Sequence, residues 1–263
     1  MSKLAYSIIN DADPAAPVLI LGPSLGTTQA LWAGVAYRLA DDFRVVAFDL
    51  PGHGRSPRIP EVTIDRIADC VLEIADELNA ATFGYAGISI SGGLALALAL
   101  KAPERVRAIG ALCCGPKFGD SSTWEQRIAR VRAGGTRSLI PDTADRWFAA
   151  GFLDEDNAAG PIVLEMLAGT DDESYIDCCR ALERFDIDGS VEAISVPAMF
   201  LAGAQDPSNP PEAMRALHER VEGSEFAVIP DSGHLPVAEH PELVADRLTS
   251  FFEEQLVTEP SAG

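Results

Sequence analysis

Three observations on this 263-residue chain predict an α/β fold, a mostly parallel central sheet flanked by helices. Short apolar runs alternate with helical patterns through the first half. The strand signal disappears between residues 115 and 188 and then returns. A serine stands where a strand-like run gives way to a helix.

The elements follow in order. Residues 17–21 are a continuous apolar run, read as a buried strand, and a Gly/Ser/Thr loop occupies 22–28. A second strand at 43–48 ends in Asp49-Leu50-Pro51-Gly52-His53-Gly54-Arg55-Ser56. Ile64, Ile67, Val71, Ile74 and Leu78 recur at helical spacing and predict a helix over 64–78. A strand at 81–86 enters Gly87-Ile88-Ser89-Ile90-Ser91-Gly92-Gly93, and the Leu/Ala run behind it reads as helix. Residues 106–113 form the next strand. Charged helical patterns then succeed one another, strands return at 196–201 and 226–229, and a last helix spans 241–255. A helical insertion between two parts of one sheet is the layout of a cap. The chain divides into a core at 1–114 and 191–256, a cap at 115–190, and a polar tail at 257–263.

Composition narrows the function. A formal net charge of −20 repels nucleic acid and anionic membranes, so neither is an expected partner. No run of 18 apolar residues occurs, and the N-terminus shows no signal-peptide apolar segment, so a cytoplasmic location is expected. Five cysteines, four of them in the adjacent pairs Cys113-Cys114 and Cys178-Cys179, lack metal-ligand spacing and read as reduced, buried thiols.

The chemistry concentrates at Ser89. A serine on a tight strand-to-helix turn between small residues is a nucleophile elbow, with its oxygen lifted clear of the sheet. Such a serine needs a base, and the base needs an acid to orient it. Downstream lie His218, His234 and His240. His234, in Asp231-Ser232-Gly233-His234-Leu235 after the last predicted strand, is the expected base, and the other two read as surface residues. Asp206, in Gly203-Ala204-Gln205-Asp206-Pro207, ends a strand between Ser89 and His234 and is the expected acid. Asp120 falls several residues too late after its strand. Backbone N–H groups of Leu25 and Ile90 are the expected oxyanion donors. His53 reads as a structural turn residue. Ser91 is a rival nucleophile, but it falls inside the first turn of the helix.

These residues resemble the α/β-hydrolase family, and the cap narrows the resemblance. Gly115-Pro116-Lys117, Trp124 to Gly135, Arg146-Trp147-Phe148 and Ser174 to Leu182 look like the cap of 3-oxoadipate enol-lactonases. Outside the cap, Ser24-Leu25-Gly26-Thr27 and Ala102-Pro103-Glu104-Arg105 also match. Ser91, where the elbow usually carries glycine, Pro23 and Leu50-Pro51 depart from the pattern. The resemblance implies an α/β-hydrolase fold with the cap after the sixth strand. It implies a cofactor-free, metal-free opening of a small carboxylate-bearing enol-lactone, met in the β-ketoadipate route of aromatic degradation. A substrate carboxylate needs a cation, and the cap offers Lys117, Arg127, Arg130, Arg132, Arg137 and Arg146. Trp124, Ile128 and Val131 share a helix face with Arg127 beside it, so Trp124, Arg127 and Trp147 are the expected substrate-binding residues. The alternatives are a broad carboxylesterase or perhydrolase, a carbon–carbon bond hydrolase, and a non-catalytic ligand-binding protein of the same fold.

Overall fold

The computed structural model describes residues 3–9, 15–155 and 158–257. Among these residues seven strands form one sheet: β1 (Tyr6–Ile8), β2 (Val18–Gly22), β3 (Arg44–Phe48), β4 (Phe83–Ile88), β5 (Val106–Leu112), β6 (Ala198–Gly203) and β7 (Glu225–Ile229). Their order is β1-β3-β2-β4-β5-β6-β7. Only β1 runs antiparallel, with Tyr6 opposite Phe48 and Ile8 opposite Val46. Every residue of β2, β4 and β6 is buried. That is why the sequence shows them as unbroken apolar runs: a parallel strand covered on both faces has no solvent side to alternate with.

Among the described residues, ten α-helices surround the sheet and its carboxyl ends. They are α1 (Ala33–Leu39), α2 (Ile64–Glu77), α3 (Ile90–Lys101), α4 (Ser121–Gly134), α5 (Ile140–Trp147), α6 (Ala159–Ala168), α7 (Asp172–Arg184), α8 (Pro211–His218), α9 (Pro236–Glu239) and α10 (Pro241–Phe252). In α2, Thr63 caps the N-terminus by accepting from the Arg66 N–H at 3.0 Å, and Ile64, Ile67, Val71 and Ile74 turn inward. By contrast, α3 is buried almost all round, which its Leu/Ala composition permits. It sits close to the sheet because Gly92 is there: a Cβ on that residue would lie 2.8 Å from the Leu112 carbonyl.

The helical excursion α4 to α7 leaves after β5 and returns before β6. Its two ends meet where Lys117 pairs with Asp186, through a 2.7 Å ion pair and an Ile187 N–H to Pro116 carbonyl bond at 3.0 Å. Among the described residues the excursion therefore follows the fifth strand rather than the sixth that the resemblance implies. Strand β1 has no signal in the sequence. Three residues are too few for a period, and only pairing with β3 makes them a strand. The predicted helix at 241–255 is α-helical to Phe252 and continues as a π turn, Glu253–Val257. Of the predicted tail at 257–263, all but Val257 lies outside the described residues. All five cysteines are free and buried, and burial pushes the Cys179 thiol up to about 12. No described helix is long and apolar enough to cross a membrane.

Candidate active site

Ser89 links β4 to α3 with φ 60° and ψ −118°, a strained conformation that a non-glycine residue seldom adopts. The strain is held in place by its surroundings. Ser89 donates its N–H to the Leu112 carbonyl at 2.9 Å and accepts from the Gly93 N–H at 3.0 Å. Gly87 must be glycine, since a Cβ there would fall 2.0 Å from the Ser91 carbonyl oxygen. Ser89 is partly exposed and lines a cavity of about 610 Å³.

Ser91 has a different task. It is fully buried, and its hydroxyl donates to the Pro23 carbonyl at 2.6 Å. The departure from glycine at this position thus ties the first turn of α3 to the 23–27 loop. That loop is also pinned from its other side by His53, which is fully buried. His53 donates from Nδ1 to the Pro51 carbonyl at 2.9 Å, leaving Nε2 to accept the Gly26 N–H at 3.1 Å. Burial pushes the His53 pKa down, so the ring stays neutral and keeps its acceptor. Between these two anchors Ser24 and Leu25 line the cavity. Ile90, as the first residue of α3, has no intrahelical acceptor for its N–H.

Asp206 and His234 come together from the loops after β6 and β7. His234 Nδ1 donates to Asp206 Oδ2 at 2.8 Å, which leaves Nε2 as the acceptor, and His234 lines the same cavity as Ser89. The other carboxylate oxygen, Oδ1, accepts the Ser208 and Asn209 N–H groups at 2.8 and 3.2 Å. Burial, with Asp206 only 2% exposed, raises its pKa, but His234 and these N–H groups together outweigh it and hold the carboxyl below its ordinary value. The close approach of the two loops depends on Gly203, where a Cβ would sit 1.8 Å from the Gly233 carbonyl oxygen.

The remaining histidines stay out of the cavity. His218 stacks on Phe226 and bonds Ser224, while His240 Nε2 donates to the Asp231 carbonyl at 2.9 Å. Both are half-buried rather than on the open surface expected for them. Asp120 caps α4 by accepting the Thr123 N–H at 2.9 Å.

On the cap side, Trp124, Arg127 and Trp147 all line the cavity, and so does Arg146. Trp124 Nε1 donates to the Phe118 carbonyl at 2.7 Å. Arg127 Nε donates to the Tyr175 hydroxyl at 2.7 Å, and both Arg127 and Arg146 reach the Thr143 hydroxyl at 3.4 Å. The other cap cations are differently occupied. Lys117 pairs with Asp186, Arg130 with Asp142 and Arg137 with Glu165, and Arg132 does not line the cavity. Among the described residues, neither Arg127 nor Arg146 forms an ion pair with a carboxylate. Burial, followed by the charge of Arg127, pushes the Arg146 pKa down. Arg146 could have been singled out in the sequence only by noticing that it borders Trp147; its distance from Arg127 depends on how α4 meets α5.

A strained serine and the imidazole of a buried carboxylate–imidazole pair line one cavity beside a helix N-terminus, an arrangement of the kind that serine hydrolases use. Residues 18–247 match the alpha/beta hydrolase family, and the chain belongs to that family. Within it, the chain is similar to 3-oxoadipate enol-lactonase 1 of Acinetobacter baylyi, 31% identical over 227 residues that cover 86% of this chain and 85% of that one. It is also similar to a pimeloyl-acyl carrier protein methyl ester esterase of Pectobacterium carotovorum, 28% identical over 242 residues, or 89% of this chain and 93% of the other. The crystal structure of the enol-lactonase from Burkholderia xenovorans LB400 superposes with a TM-score of 0.90 at 27% identity, covering 95% of this chain and 96% of that one.

Proposed function

We propose that this hydrolase opens a small enol-lactone bearing a carboxylate, 3-oxoadipate enol-lactone being the expected compound, by way of an acyl-enzyme. The observation that carries the reading is the pair Arg127 and Arg146. Among the described residues these two guanidinium groups form no ion pair with a carboxylate, and they line the cavity that Ser89 and His234 also line. In a chain of net charge −20, cavity-lining arginines that form no ion pair of their own match an anionic substrate. Similarity to enol-lactonases supports the same choice.

In this mechanism Ser89 Oγ attacks the lactone carbonyl while His234 Nε2 takes its proton, and Asp206 steadies the imidazolium. The N–H groups of Leu25 and Ile90 stabilise the oxyanion. The ring C–O bond breaks as His234 returns the proton to the enol oxygen, and the freed enol tautomerises to the ketone, which draws the opening forward. Water, deprotonated by His234, then releases the dicarboxylic acid from Ser89. Residues 115–190 serve as the cap that presents Trp124, Arg127, Arg146 and Trp147 to the substrate. The protein works in the cytoplasm, without metal or organic cofactor.

A second reading is a broader carboxylesterase. The similarity to a methyl ester esterase favours it. Steady-state hydrolysis of 3-oxoadipate enol-lactone beside an uncharged aryl ester separates the two. A strong preference for the lactone upholds the first reading; equal or better turnover of the neutral ester refutes it in favour of the second.

A further inference from the structure

One buried acid has no role in the mechanism above. Glu239, 8% exposed, lies at the end of α9, five residues beyond His234. Its Oε1 accepts the Ala149 N–H at 2.6 Å. Its Oε2 accepts both the Gly233 N–H and the Ser232 hydroxyl at 2.8 Å. The three donors belong to two different parts of the molecule. Ser232 and Gly233 precede His234 in its loop, whereas Ala149 follows the end of α5 in the cap.

The same two parts touch elsewhere. Leu235 donates its N–H to the Trp147 carbonyl at 3.0 Å. A Cβ on Gly233 would lie 2.7 Å from the carbonyl carbon of Phe148, so loop and cap backbones are in direct contact. The acid-bearing loop joins them through Gln205, which donates its N–H to the Ser232 carbonyl at 2.7 Å and accepts the Ala150 N–H at 3.1 Å. Burying an ionised carboxyl costs stability, and burial accordingly raises the Glu239 pKa. A neutral, well-packed side chain would fill the space without that cost. What the carboxylate alone supplies is acceptor capacity on both oxygens, enough to gather three donors at once.

We propose that Glu239 is a positioning residue: a two-sided clamp that fixes the His234 loop to the end of α5, so that His234 and the cavity wall at Trp147 keep one relative placement. The proposal rests on the reading of His234 as the base. An amide at this position would turn an N–H₂ donor toward one set of N–H groups, and one side of the clamp would open.

The test compares wild type, Glu239→Gln, Ser232→Ala and His234→Ala on p-nitrophenyl acetate. The Nδ1–H proton of His234, hydrogen-bonded to Asp206, is followed by its low-field NMR resonance. Glu239→Gln is expected to lower kcat by about 10- to 100-fold with KM little changed, as small displacements of a reacting group do. The His234 resonance should shift or broaden with it. Ser232→Ala, which removes one donor of three, should show both effects more weakly. If Glu239→Gln retains full kcat, or loses kcat with the resonance unmoved, the clamp is refuted. If that variant does not fold, Ser232→Ala decides, and wild-type kcat with an unmoved resonance refutes the clamp. Retained activity in His234→Ala would instead refute the assignment of the base, whichever way Glu239→Gln behaves.

Discussion

Replacing Arg127 or Arg146 by methionine isolates the charge that the proposed substrate carboxylate would meet, because methionine keeps most of the aliphatic volume. A hydrogen bond to a charged group contributes about 1.5–3 kcal/mol. At about 1.4 kcal/mol per tenfold in rate, each substitution should lower kcat/KM for the enol-lactone by roughly 10- to 150-fold. The two arginines meet at one Thr143 hydroxyl and would share one carboxylate, so the double variant should lose less than the product of the single losses. An uncharged aryl ester supplies the control, since it offers these groups nothing to bind. Arg127 also donates to the Tyr175 hydroxyl and lies 5.6 Å from the centre of that ring, so its loss should lower thermal stability more than the loss of Arg146. The assay is steady-state kinetics on both substrates with a melting curve for each variant. Equal losses on lactone and ester would refute the reasoning and make the arginines cap structure. Unchanged lactone kinetics would place the carboxylate elsewhere.

Three further outcomes are expected. Ser89→Ala should lower kcat by roughly 10⁴- to 10⁶-fold, whereas Ser91→Ala should remain active and lose about 1 kcal/mol of stability as the Pro23 carbonyl loses its donor; burst labelling by an aryl ester identifies the acylated serine, and a label on Ser91 refutes the assignment. Gly87→Ala should fail to accumulate as folded protein, because its Cβ would overlap the Ser91 carbonyl at 2.0 Å; soluble expression and a melting curve check this. The third outcome concerns pH. His53 has a lowered pKa in the fold, so the unfolded chain binds the extra proton, and the stability this provides is complete above about pH 6.5 and declines as pH falls below it. Asp206, also lowered, adds a second decline that begins only near pH 4. Glu239, raised by burial, acts in the opposite sense, so the test is the difference between variants: lowering the pH from 7 to 5.5 should depress the urea midpoint more in wild type than in His53→Gln, and equal changes in the two refute the linkage.

The sequence by itself located the turns that carry the candidate residues. Gly87-x-Ser89 is legible because the backbone contact at Gly87 and the strained φ at Ser89 leave small residues few substitutes. The buried strands are legible because two covered faces demand unbroken apolar runs, and the order serine, aspartate, histidine follows from where those strands end. Other features required the tertiary structure, for two physical reasons. The first is that a short edge strand such as β1 exists through its pairing partner and leaves no local pattern. The second is that the meaning of a charged or polar side chain lies in what stands opposite it. Lys117, Arg130 and Arg137 look like Arg127 and Arg146 in the sequence, yet among the described residues the first three are ion-paired with acids, whereas the last two line the cavity without an ion pair. His53 and Ser91, both plausible reacting groups by type, are fixed as braces of the 23–27 loop by partners 27 and 68 residues away. Glu239 reads as one more acid among forty, and only the folded chain brings Ala149 across 90 residues to meet it.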